Sequence, residues 1–170
     1  MTLHWVPAAD RGDLLAEPVA RALPEVGGVR VAEIDPELAD TAAFCERYGV
    51  SPEASANCVV VAARRGGELR YAACMVLATM RVDVNGVVRK HLDARKASFA
   101  PMAEAVTLTG MEYGGITPIG LPEGWPILVD THVAARPEVV IGSGLRRSKL
   151  AVPGAALAGM KAAEVISLAN

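Results

Sequence analysis

Two glycine-bearing segments and three groups of cations are the parts of this 170-residue chain whose residue types could do chemistry. Gly110 to Gly124 holds five glycines and two prolines. Glycine opens backbone angles closed to other residues, and proline fixes φ and removes a donor, so neither a helix nor a central strand runs through. Ile116, Ile119 and Leu121 give the segment an apolar side, which a free linker would lack. It reads as a shaped loop packed on the core, with the backbone groups of Gly114, Gly115, Ile116, Thr117 and Pro118 turned toward a ligand. The alternative, which composition alone favours, is a wide turn joining a helix to a strand. The second segment is Gly142-Ser143-Gly144, with Arg146, Arg147 and Lys149 just beyond it. A glycine turn beside cations can hold a phosphate through N–H groups and charge together. The other cation groups are Arg64-Arg65, and Arg89-Lys90 with Arg95-Lys96. Each of the three, taken singly, reads as a solvated face.

Side chains offer little else. Of the histidines, His4 and His91 read as surface groups, while His132 follows Asp130-Thr131 at a strand end, a better place for chemistry. One imidazole near a carboxylate still fits a surface position. No GxSxG elbow is present. Cys45, Cys58 and Cys74 form no CxxC or Cys/His cluster, so they read as buried free thiols in a reducing cytoplasm, and no metal is expected. No GxGxxG follows the first strand and no Walker lysine occurs, so no nucleotide cofactor is expected.

These residues must be positioned by a globular chain. Hydrophobic residues make up 52% and charged residues 21%, the net charge is −2 and the pI about 5.9. A protein that coats nucleic acid generally would be basic, which leaves room only for a local patch. The N-terminus lacks a basic stretch followed by an apolar run, and no apolar run has the length of a membrane span. Residues 1–28 read as an extension with helical pieces around Pro18 that packs on the domain, and residues 29–170 as that domain. Strands are expected at 29–34, 57–63, 69–78, 96–100, 126–129, 139–141 and 150–152, the second and third forming a hairpin. Helices are expected from Asp35-Pro36 to Tyr48, over 83–92, 102–108 and 131–135, and after Pro153-Gly154. Uneven connections and hairpins argue for a mixed α/β domain around one curved sheet.

In this order, Lys-Ala-Ser-Phe-Ala, Leu-Thr-Gly, Gly-Gly-Ile-Thr-Pro-Ile-Gly-Leu-Pro, Val-Asp and Gly-Ser-Gly-Leu-Arg-Arg-Ser-Lys-Leu resemble the YbaK/prolyl-tRNA synthetase-associated family of aminoacyl-tRNA deacylases. The similarity runs from about Val29 to the C-terminus, and Gly114 to Pro118 fits the family's GxxxP loop. The resemblance implies a barrel-like mixed sheet flanked by helices. It also implies hydrolysis of the ester between a wrong amino acid and the terminal adenosine of tRNA, by water aided by a ribose hydroxyl. Gly114 to Pro118 would be the catalytic loop, and Asn57, Gly142, Ser143, Gly144 and Arg146 would bind substrate. The acceptor end of aminoacyl-tRNA is the implied partner, with an aminoacyl-tRNA synthetase as a candidate second one. In one respect the chain departs from the family: Ala56 stands where relatives usually carry a lysine. Two readings follow. Lys149, from another strand, replaces that cation, or the domain is a weak or inactive module that binds a tRNA end, a nucleotide or a small amino acid.

Overall fold

The computed structural model describes residues 2–170. The chain begins with β1 (Val6–Pro7), α1 (Glu17–Ala22) and β2 (Arg30–Glu33). Next come α2 (Thr41–Tyr48), the strands β3 (Ala56–Arg65) and β4 (Glu68–Leu77), α3 (Arg89–His91), β5 (Lys96–Phe99) and α4 (Met102–Thr109). After the glycine-rich loop run β6 (Ile127–Asp130), α5 (Thr131–Ala134), β7 (Val139–Gly142), β8 (Ser148–Val152), α6 (Gly154–Ala158) and β9 (Ala163–Ile166).

The strands form two sheets rather than one closed barrel, a mixed α/β arrangement nonetheless. One has the order β1-β2-β8-β7 and is antiparallel throughout. The other has the order β5-β3-β4-β6-β9; its first three strands are antiparallel, and β4, β6 and β9 run parallel. An isolated bridge between Ser55 and Val140 links the sheets. Side chains alternate along each strand, and the alternation sorts them into separate clusters. Met75, Ile127 and Val129 meet Val31, Ile141, Leu150 and Val152 in the main core, which Leu14, Leu15 and Val19 close from the N-terminal residues. On the other face of the five-stranded sheet, Val61, Cys74, Val76 and Leu128 pack with Val84, Val88 and Leu168. Phe44 and Cys45 of α2 pack with Ile34 and Val140 in a third cluster.

The helix expected from Asp35-Pro36 divides in two. Asp35 caps a 3-10 turn at Pro36–Leu38 by accepting from the Glu37 N–H, and α2 starts only at Thr41, with Asp40 extended at its N-cap. Pro18 falls in the first turn of α1, where its missing N–H costs nothing, and 3-10 turns flank that helix. The helix expected over 83–92 opens as a π-helical turn at Val84–Val88, with Asp83 accepting from the Gly86 N–H. The tail adds a strand, β9, and β1 pairs with β2. Among the described residues, no helix is long and apolar enough to cross a membrane.

Candidate active site

Strand β8 decides where Lys149 goes. Its five residues are all buried, and they alternate: Leu150 and Val152 enter the main core, so Lys149 points the other way, toward α2. The side chain is only 7% exposed as a residue, its Nζ donates to the Ala39 carbonyl at 2.8 Å, and it lies 5.3 Å from the centre of the Phe44 ring. Burial pushes the ammonium pKa down to about 8; Cys45 and Asp40 work against that shift and Arg146 adds to it.

A cavity of about 300 Å³ opens in front of Lys149, lined also by Asp40, Thr41, Ala56, Asn57, Gly114, Ile116 and Gly142. Gly142 is the cross-strand partner of Lys149. A Cβ built on Gly142 would stand 2.5 Å from the Gly115 carbonyl oxygen, so only glycine lets the loop settle on the end of β7. The Gly144 N–H fixes the same contact by donating to the Gly115 carbonyl at 2.7 Å. The Gly115 N–H donates to Glu112, and the Thr117 N–H reaches the Met111 sulfur at 3.4 Å.

The loop therefore alternates. Gly114 and Ile116 face the cavity, whereas Gly115, Thr117 and Pro118 are buried in the fold. Thr117 is fully buried and its hydroxyl has no hydrogen-bond partner among the described residues. The N–H groups of Gly114 and Ile116 are likewise without a partner among the described residues, and these two residues line the cavity. Gly114 is exposed and Ile116 half-buried, so both amides are open to water or to a ligand in the cavity. Gly114 has φ +79°, and a Cβ there would run into the Arg146 guanidinium.

Across the cavity, the Thr41 hydroxyl donates to Asn57 Oδ1 at 2.7 Å, which orients the carboxamide and leaves its NH2 without a protein partner among the described residues. Thr41 and Asn57 also wall a neighbouring cleft of about 550 Å³ lined by Cys45, Val50 and Ala78. Cys58 touches the cavity, but burial pushes its thiol pKa up, so it stays protonated and a poor nucleophile.

Of the residues named from the sequence, Asn57, Gly114, Ile116, Gly142 and Lys149 come together here; Gly115, Thr117, Pro118, Ser143, Gly144 and Arg146 do not line the cavity. Ser143 is fully buried and its hydroxyl bonds to Leu145 and to Ser148. Arg146 spends its guanidinium on the carbonyls of Tyr113 and Pro36, bracing the loop from outside. His132 lies apart from the cavity. Its Nδ1 sits 2.9 Å from the buried Asp130 carboxylate, which also caps α5 and accepts from the Leu168 N–H. Among the described residues, no group of three or more His, Cys, Asp or Glu side chains could hold a metal ion. Sequence reading missed Asp40 and Thr41. The signal was present, since an Asp-Thr pair is a helix-start pattern, but it lay inside what read as one helix.

The sequence profile of the aminoacyl-tRNA editing domain family matches residues 35–160, a span that contains every lining residue named above. No curated protein matches the chain. The crystal structure of the hypothetical protein APE2540 is similar at a TM-score of 0.79 and 23% identity, over 91% of this chain and 100% of that one. A candidate trans-editing enzyme for prolyl tRNA synthetase is similar at 0.77 and 22% identity, over 91% of this chain and 96% of that one. At these identities the two likenesses speak for the fold.

Proposed function

Because the chain belongs to the aminoacyl-tRNA editing domain family, we propose that it hydrolyses the ester of mischarged tRNA in the cavity in front of Lys149. The observation that carries this reading is the convergence of two unpaired loop amides, a carboxamide and a buried cation on one cavity. The water oxygen bonds to the ester carbonyl carbon, the bond from that carbon to the ribose oxygen breaks, the proton of the water passes through the neighbouring ribose hydroxyl to the leaving oxygen, and the free amino acid and tRNA separate. The negative charge that develops on the carbonyl oxygen is met by the N–H groups of Gly114 and Ile116, fixed in place before substrate arrives. Lys149 supplies the positive charge that relatives draw from the position of Ala56, which lines the same cavity. The cleft behind Thr41 and Asn57 gives room for part of the aminoacyl-adenosine. Gly115, Thr117, Pro118, Ser143, Gly144 and Arg146 act as positioning residues. The site needs no side-chain nucleophile, because holding ester and water in attack geometry supplies a large share of the rate. Residues 1–28 act as an extension packed on an editing domain of residues 29–170, and the pairing of β1 with β2 supports that packing.

A second reading rests on one observation: Lys149 already donates to the Ala39 carbonyl. An ammonium held there could leave a module that binds a tRNA end, a nucleotide or a small amino acid without cleaving it. Incubation with Ala-, Ser-, Cys- and Pro-charged tRNAs separates the two. Ester loss above the uncatalysed rate supports the enzyme; saturable binding without ester loss selects the binding module.

A further inference from the structure

The charge of this chain is unevenly distributed. Residues 64–96 carry eight Arg and Lys against three acids, a formal +5 in a chain of net −2. Four of these cations, Arg64, Arg65, Arg95 and Lys96, line one groove of about 470 Å³ at the tip of the β3–β4 hairpin, against one acid, Glu68, opposite Arg65. All four are exposed. Arg65 has Asp93 at 3.7 Å, but among the described residues Arg64, Arg95 and Lys96 enter no ion pair. Arg64 and Lys96 are moreover direct cross-strand partners. Like charges placed opposite each other on neighbouring strands destabilise a sheet, so the fold tolerates a repulsion here that a polyanion would relieve.

The groove and the cavity are joined by two strands. Along β3, Arg64 lies five positions beyond Val59, which lines the cavity, roughly 17 Å at strand spacing. Alongside runs β5, the edge strand of its sheet, from Lys96 at the groove to Phe99. Phe99 is 63% exposed, and Met102, three residues on, is 46% exposed and lines the cavity. Cations, an exposed aromatic face and the cavity thus follow one another along one edge.

We propose that the acceptor arm of tRNA lies along β5, with its stem phosphates on Arg64, Arg95 and Lys96 and its unpaired terminal bases passing over Phe99 and Met102 into the cavity. This rests on the editing reading for what fills the cavity, but it makes a separate claim about the docking surface. Phosphate contacts of this kind position an RNA without reading its sequence. Base stacking on one exposed aromatic ring is equally tolerant of sequence. The chain thereby recognises the arm as a helix with a single-stranded end, and discrimination is left to the amino acid in the cavity.

The test uses the full chain with Arg64→Gln, Arg95→Gln and Lys96→Gln combined. Binding of uncharged tRNA is titrated at several salt concentrations, and hydrolysis of an aminoacyl-adenosine, too short to reach the groove, is followed in parallel. The triple variant should bind tRNA at least about tenfold more weakly, and the slope of log K against log salt should fall by about 2.7, as expected for three lost duplex phosphate contacts. Its hydrolysis of aminoacyl-adenosine should stay within about twofold of the unsubstituted chain, as only long-range screened charge is removed. Phe99→Ala should weaken tRNA binding about fivefold or more with the salt slope unchanged. A control that removes the same charge elsewhere, Arg21→Gln with Arg47→Gln and Lys161→Gln, should leave the slope as it was. The proposal is overturned if the triple variant keeps the affinity and slope of the unsubstituted chain, if the control loses as much, or if the unsubstituted chain does not bind tRNA. Failure to hydrolyse aminoacyl-adenosine would instead count against the editing reading, and the binding arm would still decide the docking surface.

Discussion

The two ends of β3 hold positive charge in opposite ways. At Ala56–Val59 the cation is a single ammonium, buried under α2, held by one carbonyl and set against an aromatic ring. At Arg64–Arg65 four cations stand in solvent around an open groove. Charge in water is cheap and screened, worth little at one point but able to gather a polyanion over a distance. A buried charge is expensive, and acts strongly on whatever shares its low-dielectric space. The first end is therefore suited to altering the energy of a bond, the second to capture. Substitutions at the cavity end should change turnover without touching salt dependence, and those at the hairpin end should do the reverse.

The sharpest way to break that division is Gly142→Ala. The added methyl would be driven onto the Gly115 carbonyl and push the loop out of register with Lys149. A displacement near 1 Å can cost about 100-fold in rate, so deacylation should fall by about that much and the melting temperature should drop. Gly27→Ala, where a Cβ meets nothing within 4 Å, should change neither. Equal activity in the two variants would mean that the loop does not need its seat on β7.

Lys149→Met comes next, and it should separate activity from stability. The shift from 10.5 to about 8 corresponds to roughly 3 kcal/mol of cost for keeping the ammonium charged. A methionine of similar shape removes that cost but leaves the Ala39 carbonyl without its donor, which costs about 1–3 kcal/mol. The variant should be as stable as the original chain or up to about 2 kcal/mol more so, by the same accounting. Its deacylation rate should fall by about 10- to 100-fold if the ammonium meets developing charge. An unchanged rate in a well-folded Lys149→Met would show that the ammonium takes no part in the chemistry and would leave the developing charge to the loop amides.

The same group sets a pH dependence. Lys149 is charged below about pH 8 and neutral above it, so the rate advantage of the original chain over Lys149→Met should be full near pH 7 and fade as pH rises through 8. Stability runs the other way. Between about 8 and 10.5 the unfolded chain keeps the proton that the folded chain has released, so the unfolded state binds more protons and the contribution of Lys149 to stability rises with pH over that window. Asp40 works to keep the ammonium charged, so Asp40→Asn should move the midpoint of the activity profile to lower pH. A profile that does not move would remove Asp40 from the site.

How far the sequence shows this depends on the scale of the feature. The β3–β4 hairpin was legible because its apolar runs flank a Gly66-Gly67 turn, and β8 because Leu150 to Val152 reads as a buried run. The Gly110–Gly124 loop was legible as a shaped segment, because no regular element accepts that composition. Which way each loop residue faces was not. That is settled by Gly142 and Gly144 gripping the Gly115 carbonyl, a contact between segments 27 or more residues apart with no local signature. Arg146 and Lys149 looked alike in the sequence, and only the pleat of β8 buries one while the neighbouring turn leaves the other to brace the loop. Asp40 and Thr41 were hidden by the 3-10 turn before them, which made two helical pieces read as one.

The smallest expected effect tests the cavity end at its finest point. Thr41 touches the substrate in no part of the proposed scheme; it holds Asn57 Oδ1 at 2.7 Å and so decides which end of the carboxamide faces the cavity. Thr41→Val keeps the shape and removes the donor. The carboxamide can then turn over, and an acceptor can present itself where a donor is wanted. A neutral hydrogen bond of this kind is worth about 0.5–1.5 kcal/mol, so deacylation should fall by about two- to tenfold. Because nothing near Arg64 changes, the salt slope of tRNA binding should be that of the original chain. Thr41→Ser, which keeps the hydroxyl, should restore the rate. If Val and Ser behave alike, Asn57 is oriented by something other than Thr41, and the cavity end is held less firmly than its hydrogen bonds indicate.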